Sequence, residues 1–317
     1  LAADKSGSAG TGAEPRPTPS ASRTPSASAS PTRAAAAFPA DPMLIRVDLG
    51  DDRNDIYQTV PGSGVRTRVV SGADDILPKW STDRRKVVFV RRTQGAGLPG
   101  VGETLGAKQS QIWVVNADGT NAQLVTDRTV GGRVTFSPDD SKLAFLGEVD
   151  GIRQLFVITL GEREPVQWTS SPDAVDDPAW SPTGDVIAIS SIRPGQKKRI
   201  YLVPADRPGA PWRPVTSGKN IAADPGWSPD GSRIAYTCRT PQYKTDIWVV
   251  NRDGTGDRAV TRGAPEDMDA SFSPDGSWLS FSRGPGANPV IHIVRVNGSG
   301  LHRLDVGGGR TGHASWS

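Results

Sequence analysis

Apolar residues along this chain fall in short alternating runs, and the runs recur in a fixed order. Each repeat opens on an aromatic residue followed by serine: Trp80-Ser81, Phe136-Ser137-Pro138-Asp139, Trp180-Ser181-Pro182, Trp227-Ser228-Pro229-Asp230-Gly231, Phe272-Ser273-Pro274-Asp275-Gly276 and Trp316-Ser317. Seven residues after the aromatic comes a large-small-large triplet, as in Val87-Val88-Phe89, Leu143-Ala144-Phe145, Ile187-Ala188-Ile189, Ile234-Ala235-Tyr236 and Leu279-Ser280-Phe281. A third run follows, aliphatic then aromatic then apolar: Ile112-Trp113-Val114-Val115, Leu155-Phe156-Val157-Ile158, Ile200-Tyr201-Leu202-Val203, Ile247-Trp248-Val249-Val250 and Ile291-His292-Ile293-Val294. Alternation of this length predicts strands. Ser-Pro-Asp-Gly between the first two runs predicts a type I turn, since proline presets the second φ and glycine tolerates the exit. Turns such as Asn116-Ala117-Asp118-Gly119, Asn251-Arg252-Asp253-Gly254 and Asn297-Gly298 lead to a fourth run, expected to close each unit at Val125-Thr126, Trp168-Thr169, Val215-Thr216, Val260-Thr261 or Leu304-Asp305.

Successive marker serines are 56, 44, 47, 45 and 44 residues apart. A period near 45 residues, with four short strands in each, predicts an all-β six-bladed propeller of four-stranded blades. One blade is split: Gly312 to Ser317 supplies its innermost strand A, while Met43 to Leu49 is B, Ile56-Tyr57 is C and Val69-Val70-Ser71 is D. The C-terminal strand thus pairs with N-terminal strands, and ring closure removes free sheet edges. Period-2 alternation puts the small middle residue of each B triplet on a face that a neighbouring blade approaches closely.

Composition divides the chain in two. Residues 1–38 are mostly Ala, Ser, Pro, Thr and Gly, too poor in large apolar side chains to offset ordering entropy, and are expected to be a disordered tether ahead of a propeller at 39–317. The tether holds two acids (Asp4, Glu14) and four bases (Lys5, Arg16, Arg23, Arg33), so it carries most of the net charge of +3 and leaves the propeller nearly neutral. A nucleic-acid partner is therefore not expected, despite a pI of 9.1. Cys238 is the sole cysteine, which excludes an intrachain disulfide and a cysteine-based zinc site. No apolar run is long enough to span a membrane. Position 1 is Leu, not Met, so the expectation is that an upstream piece (a signal peptide, a membrane helix or a whole domain) supplies any anchor.

Aromatic-Ser-Pro-Asp-Gly, then Ile-Ala-Phe-like strands, Asp-Ile-Trp-Val-Val and a terminal Leu-Thr together resemble the WD40-like (PD40) repeat of TolB-type propellers over residues 42–317. Ser81-Thr82-Asp83, lacking the proline, and Thr183 in place of the turn aspartate depart from it. A six-bladed propeller behind a Ser/Pro/Ala/Thr tether also resembles the extracellular halves of actinobacterial membrane proteins, including receptor Ser/Thr kinases and lipoproteins. The resemblance implies an extracytoplasmic, tethered, monomeric sensing or binding domain with a protein or peptide partner. Similar propellers gate serine peptidases of the prolyl oligopeptidase type, which implies the alternative: a substrate-gating domain whose catalytic part lies outside this chain.

Catalytic motifs are lacking. Gly95-Ala96-Gly97-Leu98-Pro99-Gly100 matches a dinucleotide fingerprint in letters, but Pro99 and Gly100 preclude the helix that must receive the pyrophosphate. There is no G-x-S-x-G, no H-E-x-x-H and no Cys-His pair, and His292, His302 and His313 share one late stretch, with His292 in an aromatic strand slot. No enzyme activity is expected. Three residues before each strand-A aromatic, however, the six blades present Leu77, Arg133, Asp177, Asp224, Asp269 and His313, which symmetry brings around one mouth of the channel. Asp177, Asp224 and Asp269 with the imidazole have the chemistry to hold a divalent cation such as Ca²⁺, or a basic peptide terminus; singly, the same aspartates would cap backbone amides. Strands A and C run parallel, so the B-to-C loops lie at the same mouth. These loops include the long glycine-rich insertion 91–110 and carry Arg193, Lys197, Lys198, Arg199, Arg239 and Lys244, an expected basic rim around an acidic centre.

Overall fold

The computed structural model describes residues 38–94, 108–241, 244–263, 266–285 and 289–316; the tether at 1–37 and the fingerprint-like segment 95–107 lie outside them. The first blade comprises β1 (Met43–Gly50), β2 (Arg53–Thr59) and β3 (Arg66–Val70). Then come β4 (Asp74–Trp80), β5 (Lys86–Gln94), β6 (Lys108–Asn116) and β7 (Gln123–Thr129) in the second blade. The third holds β8 (Thr135–Phe136), β9 (Lys142–Val149), β10 (Ile152–Thr159) and β11 (Val166–Gln167). The fourth holds β12 (Val175–Trp180), β13 (Val186–Ser191), β14 (Arg199–Pro204) and β15 (Arg213–Pro214). The fifth holds β16 (Ile221–Trp227), β17 (Arg233–Arg239), β18 (Thr245–Asn251) and β19 (Arg258–Ala259). β20 (Asp267–Phe272), β21 (Trp278–Arg283), β22 (Val290–Arg295) and β23 (His302–Arg303) form the sixth, and β24 (Arg310–Ser315) returns to the first.

Closure follows the expected pairing. β24 runs antiparallel to β1, with Leu44 opposite Ser315 and Asp48 opposite Arg310. The seam is latched where the ends meet: Trp316 Nε1 donates to Asp41 O at 2.9 Å, and Arg84 donates from Nη1 to Pro42 O at 2.8 Å and from Nη2 to Trp316 O. Phe38, assigned above to the tether, is instead docked on the sixth blade. Its ring stands edge-on to Trp278 and His302, with centroids 6.0 and 5.1 Å away, because an aromatic side chain at that point finds an apolar seat.

The repeated turn works as a hydrogen-bonded unit. Ser228 Oγ accepts from Arg233 N at 2.9 Å and donates to Asp230 at 2.6 Å, while Gly231 N bonds Ser228 O at 2.9 Å; Ser273 repeats the pattern. Where Thr183 replaces the aspartate, its hydroxyl sits 2.7 Å from Ser181 Oγ and donates to Asp185 at 2.6 Å, so the network survives the departure. The expected small B-strand residues do face the next blade: Ala144 packs with Trp180 and Ile187, Ala188 with Trp227 and Ile234, and Ala235 with Phe272 and Leu279. The apolar core is thus a set of inter-blade layers. Gly254 belongs to the same close packing, since a Cβ there would lie 2.8 Å from Val215 O of the preceding blade and its φ is +92°.

Strand D departs from expectation in four blades. The paired residues precede the Trp-Thr, Val-Thr or Leu-Asp positions, in β11, β15, β19 and β23. The threonines take over the next link of the ladder through their side chains: Leu155 N, Ile200 N and Ile247 N donate to the hydroxyls of Thr169, Thr216 and Thr261 at 2.9, 3.1 and 2.9 Å. A hydroxyl acceptor releases the backbone to turn toward the next blade while strand C keeps its bond.

Candidate binding site in the channel

In five of the six blades the residue three before the aromatic sits at a β-bulge. Registers skip between Asp176 and Ala179, Ala223 and Gly226, Met268 and Ser271, and Ile76 and Lys79, each time inserting one extra residue in strand A. At that point Leu77, Asp177, Asp224, Asp269 and His313 all adopt left-handed backbone, with φ of 54, 54, 53, 62 and 50°. Asp tolerates this region better than most L residues, whereas Leu77 is strained there. In the third blade Gly131 and Gly132, at φ of +82 and +87°, take the left-handed positions and free Arg133 to extend.

Arg133 reaches across the ring to the blade opposite. Its Nη2 pairs with Asp269, and its Nε lies 3.5 Å from Asp224 Oδ1. His313 Nδ1 stands 3.2 Å from Asp269 Oδ2, within range for charge attraction but off line for a hydrogen bond. Asp177 Oδ2 accepts from Ser190 Oγ at 2.6 Å and from Asp224 N of the next blade at 3.4 Å. Burial alone would lower the pKa of Arg133, but Asp269, Asp224 and Asp177 outweigh it and hold the guanidinium firmly charged. Burial pushes Asp224 up to about 7, against the pull of Arg133 and with repulsion from Asp177 and Asp269. Burial also acts to raise Asp269, which is only 9% exposed, yet the Arg133 guanidinium bonded to it, with the His313 imidazole nearby, outweighs that and holds it below the usual carboxylate range.

The five charged or imidazole-bearing ring residues singled out in the sequence therefore converge. Among the described residues no group of three or more acidic, His or Cys side chains is arranged to hold an ion, and the Arg133 guanidinium sits among Asp177, Asp224 and Asp269 as their counter-charge. Four of the rim cations expected from the sequence have partners of their own. Lys198 bonds Asp176 at 2.7 Å, Arg193 lies 3.8 Å from Asp173 and stacks over Tyr201, Lys197 donates to Lys219 O at 2.7 Å, and Arg199 donates to Thr216 O at 2.8 Å. Arg239 and Lys244 are exposed. Asp173 and Asp176, just before and within β12, sit close enough to pair with Arg193 and Lys198. Elsewhere, His292 stacks on Phe281 at 5.9 Å, as its strand slot implies, and Cys238 is buried with its thiol pushed up to about 11 by that burial.

Lys79 was not among the residues picked from the sequence. It precedes Trp80 on β4 and borders the channel cavity together with Arg133 and His313, in a space of about 30 Å³, room for a water or two. Burial in that lumen, reinforced by repulsion from Arg133, pushes its ammonium down to about 8.

Residues 103–317 match the family described as the TolB beta propeller domain. A protein TolB homolog of Chlorobium luteolum is 31% identical over 262 residues, covering 81% of this chain and 46% of the homolog, so the chain spans less than half of that relative. The crystal structure of TolB from Acinetobacter baumannii superposes with a TM-score of 0.71 at 16% identity, over 87% of this chain and 66% of that one. A puromycin-hydrolyzing peptidase of Mycobacterium tuberculosis superposes with a TM-score of 0.57 at 12% identity, over 83% and 45%. Both superpositions speak for the fold alone.

Proposed function

Because the chain belongs to the TolB β-propeller domain family, we propose that it is an extracytoplasmic, non-enzymatic binding module that takes a protein or peptide partner at the channel mouth. The observation that carries this reading is the convergence of Arg133, Asp177, Asp224, Asp269 and His313 from five blades on one opening of a closed scaffold. Three carboxylates face one guanidinium, and Asp224 is held near its midpoint at neutral pH, so an incoming cationic group finds acceptors that the protein itself has not saturated. A lysine side chain or a peptide amino terminus has that chemistry. The surrounding loops supply the wider contact surface, as binding loops on rigid scaffolds do.

The test is calorimetry with short peptides bearing a free amino terminus or a lysine, against the parent and the double variant Asp177→Asn/Asp224→Asn. Asparagine keeps the local backbone bonds, so the variant should fold; its affinity should drop at least tenfold, and the parent's should weaken as pH falls below 7. Equal affinity, or no peptide binding to either protein, sinks the proposal. A second reading is a gating propeller attached to a hydrolase outside this chain. The complete reading frame discriminates: a hydrolase domain elsewhere in it supports gating, a membrane helix or lipid-attachment motif supports the tethered binder.

A further inference from the structure

Two residues past the charged ring, the channel carries a second ring made by the residue before each aromatic: Lys79, Thr135, Ala179, Gly226, Ser271 and Ser315. Five of the six are small and uncharged. Gly226 could not be larger, since a Cβ there would lie 2.9 Å from Ala270 O of the next blade. Lys79 is the single ionisable member, and among the described residues it has no hydrogen-bonding or ionic partner. The charged group that acts on it is Arg133, a like charge already engaged by Asp224 and Asp269. The ammonium is half-buried with a like charge beside it and no counter-charge in reach, which is why its proton is held loosely.

Beyond Lys79, away from the charged ring, the channel widens among the Ser-Pro-Asp-Gly turns into a pocket of about 110 Å³. Lys79 forms its inner end. Trp80, Phe136, Trp180 and Trp227 line its walls with the turn prolines, and it contains no other ionisable side chain. The Thr135 hydroxyl borders the same pocket; its oxygen accepts from Trp180 N at 3.3 Å, while its hydrogen has only a long 3.4 Å contact with Phe136 O. One unpaired cation, one underused donor and an apolar wall define an anion with a small hydrophobic tail. An apolar cavity of about 150 Å³ holds a benzene ring, so this one accommodates a carboxylate and a tail of about three carbons.

We propose that this turn-side pocket binds a small monocarboxylate, with the carboxylate on the Lys79 ammonium and the Thr135 hydroxyl and the short apolar tail among the indole rings. The site lies at the opposite end of the channel from the peptide mouth and stands independently of it. Free short-chain acids and a peptide's C-terminal residue share this chemistry. An anion restores the missing counter-charge, so Lys79 holds its proton more tightly in the complex than in the free protein.

The experiment is titration of the whole chain with butyrate, with N-acetyl-Gly-Ala bearing a free carboxylate, and with the amide of that dipeptide. Butyrate should bind, and the amide should bind at least tenfold more weakly than the free peptide acid. Binding by butyrate alone assigns the pocket to free acids; binding by the peptide acid as well admits a chain terminus. Affinity should hold between pH 6 and 7.5 and fall toward tenfold per pH unit above 8.5, as the unliganded ammonium loses its proton. Lys79→Met should lose butyrate binding while its melting temperature stays at or above the parent's, and Asp224→Asn should retain it, which separates this site from the mouth. Absence of binding by both acids, equal affinity for acid and amide, or unchanged affinity in Lys79→Met overturns the proposal. The acid–amide contrast and the pH profile use the unaltered protein and stand even if the variant misfolds.

Discussion

Arg133 and Lys79 face the same channel, one surrounded by carboxylates and the other by none. Arg133 extends from a pair of left-handed glycines and bridges Asp269 and Asp224, so its burial is compensated. Lys79 lies one ring further along, where the neighbouring blades offer only Thr, Ala, Gly and Ser. The ring geometry is common to both, so the difference arises from which residues the repeats place at equivalent positions. A satisfied cation organises the fold, while an unsatisfied one stores a free-energy penalty that a ligand can relieve.

Removing Arg133 should test the first half of that contrast most severely. Arg133→Met leaves Asp269, Asp224 and Asp177 without their guanidinium and should destabilise the domain by roughly 3–5 kcal/mol at pH 7 in urea unfolding. Asp269 has a depressed pKa, so the stability it brings is present above the ordinary carboxylate pKa and lost as pH falls; the penalty of the variant should shrink toward pH 4. A loss below about 1 kcal/mol at pH 7 would show that Arg133 does not hold the ring together. Asp224 runs the other way. Its folded pKa is raised to about 7, so the favourable term is present at low pH and is lost between about 4 and 7. Asp224→Asn should accordingly be more stable than the parent by about 1–3 kcal/mol at pH 8 and lose that advantage by pH 4. Parallel stability profiles for the two proteins would contradict the shift. Smallest is the effect of Lys79→Met. The lysine's folded pKa is lowered to about 8, so its penalty is present below that pH and vanishes above the ordinary lysine range. The variant should gain about 1–2 kcal/mol at pH 7 and nothing near pH 11; a loss at pH 7 would mean the ammonium has a partner.

Much of this was legible in the sequence because the repeat fixes backbone position. Counting seven residues from each aromatic to the B triplet, and three back to the ring, locates strands and channel residues alike, and the split blade follows from the incomplete first and last repeats. The same counting could not show that Arg133, an apparent exception beside Asp177, Asp224 and Asp269, crosses to the opposite blade, since reach across a lumen depends on side-chain length and on the two glycines behind it. The guanidinium thus occupies the place among the carboxylates that the sequence reading gave to a cation. The partners of the rim cations were not legible either, because the distance of Asp173 and Asp176 from Arg193 and Lys198 depends on tertiary structure. In four blades the ladder pairs of strand D lie just ahead of the expected residues; in three of them a threonine hydroxyl stands in for a ladder carbonyl, a substitution that periodicity does not register. Lys79 did leave a signal: at the position before each aromatic it is the one charged residue in a column of small ones.

The pairing of β24 with β1 has a mechanical consequence. Leu44 lies opposite Ser315, so the two ends of the folded unit leave the sheet side by side. Tension between them would load the seam one residue pair at a time, peeling it like a zipper instead of shearing many hydrogen bonds at once. The first teeth are the Trp316–Asp41 and Arg84–Pro42 clasps. Under pull they set the force at which the circle opens, and once they part, the remaining rungs of β1 and β24 are loaded singly, in order from Leu44 toward Asp48.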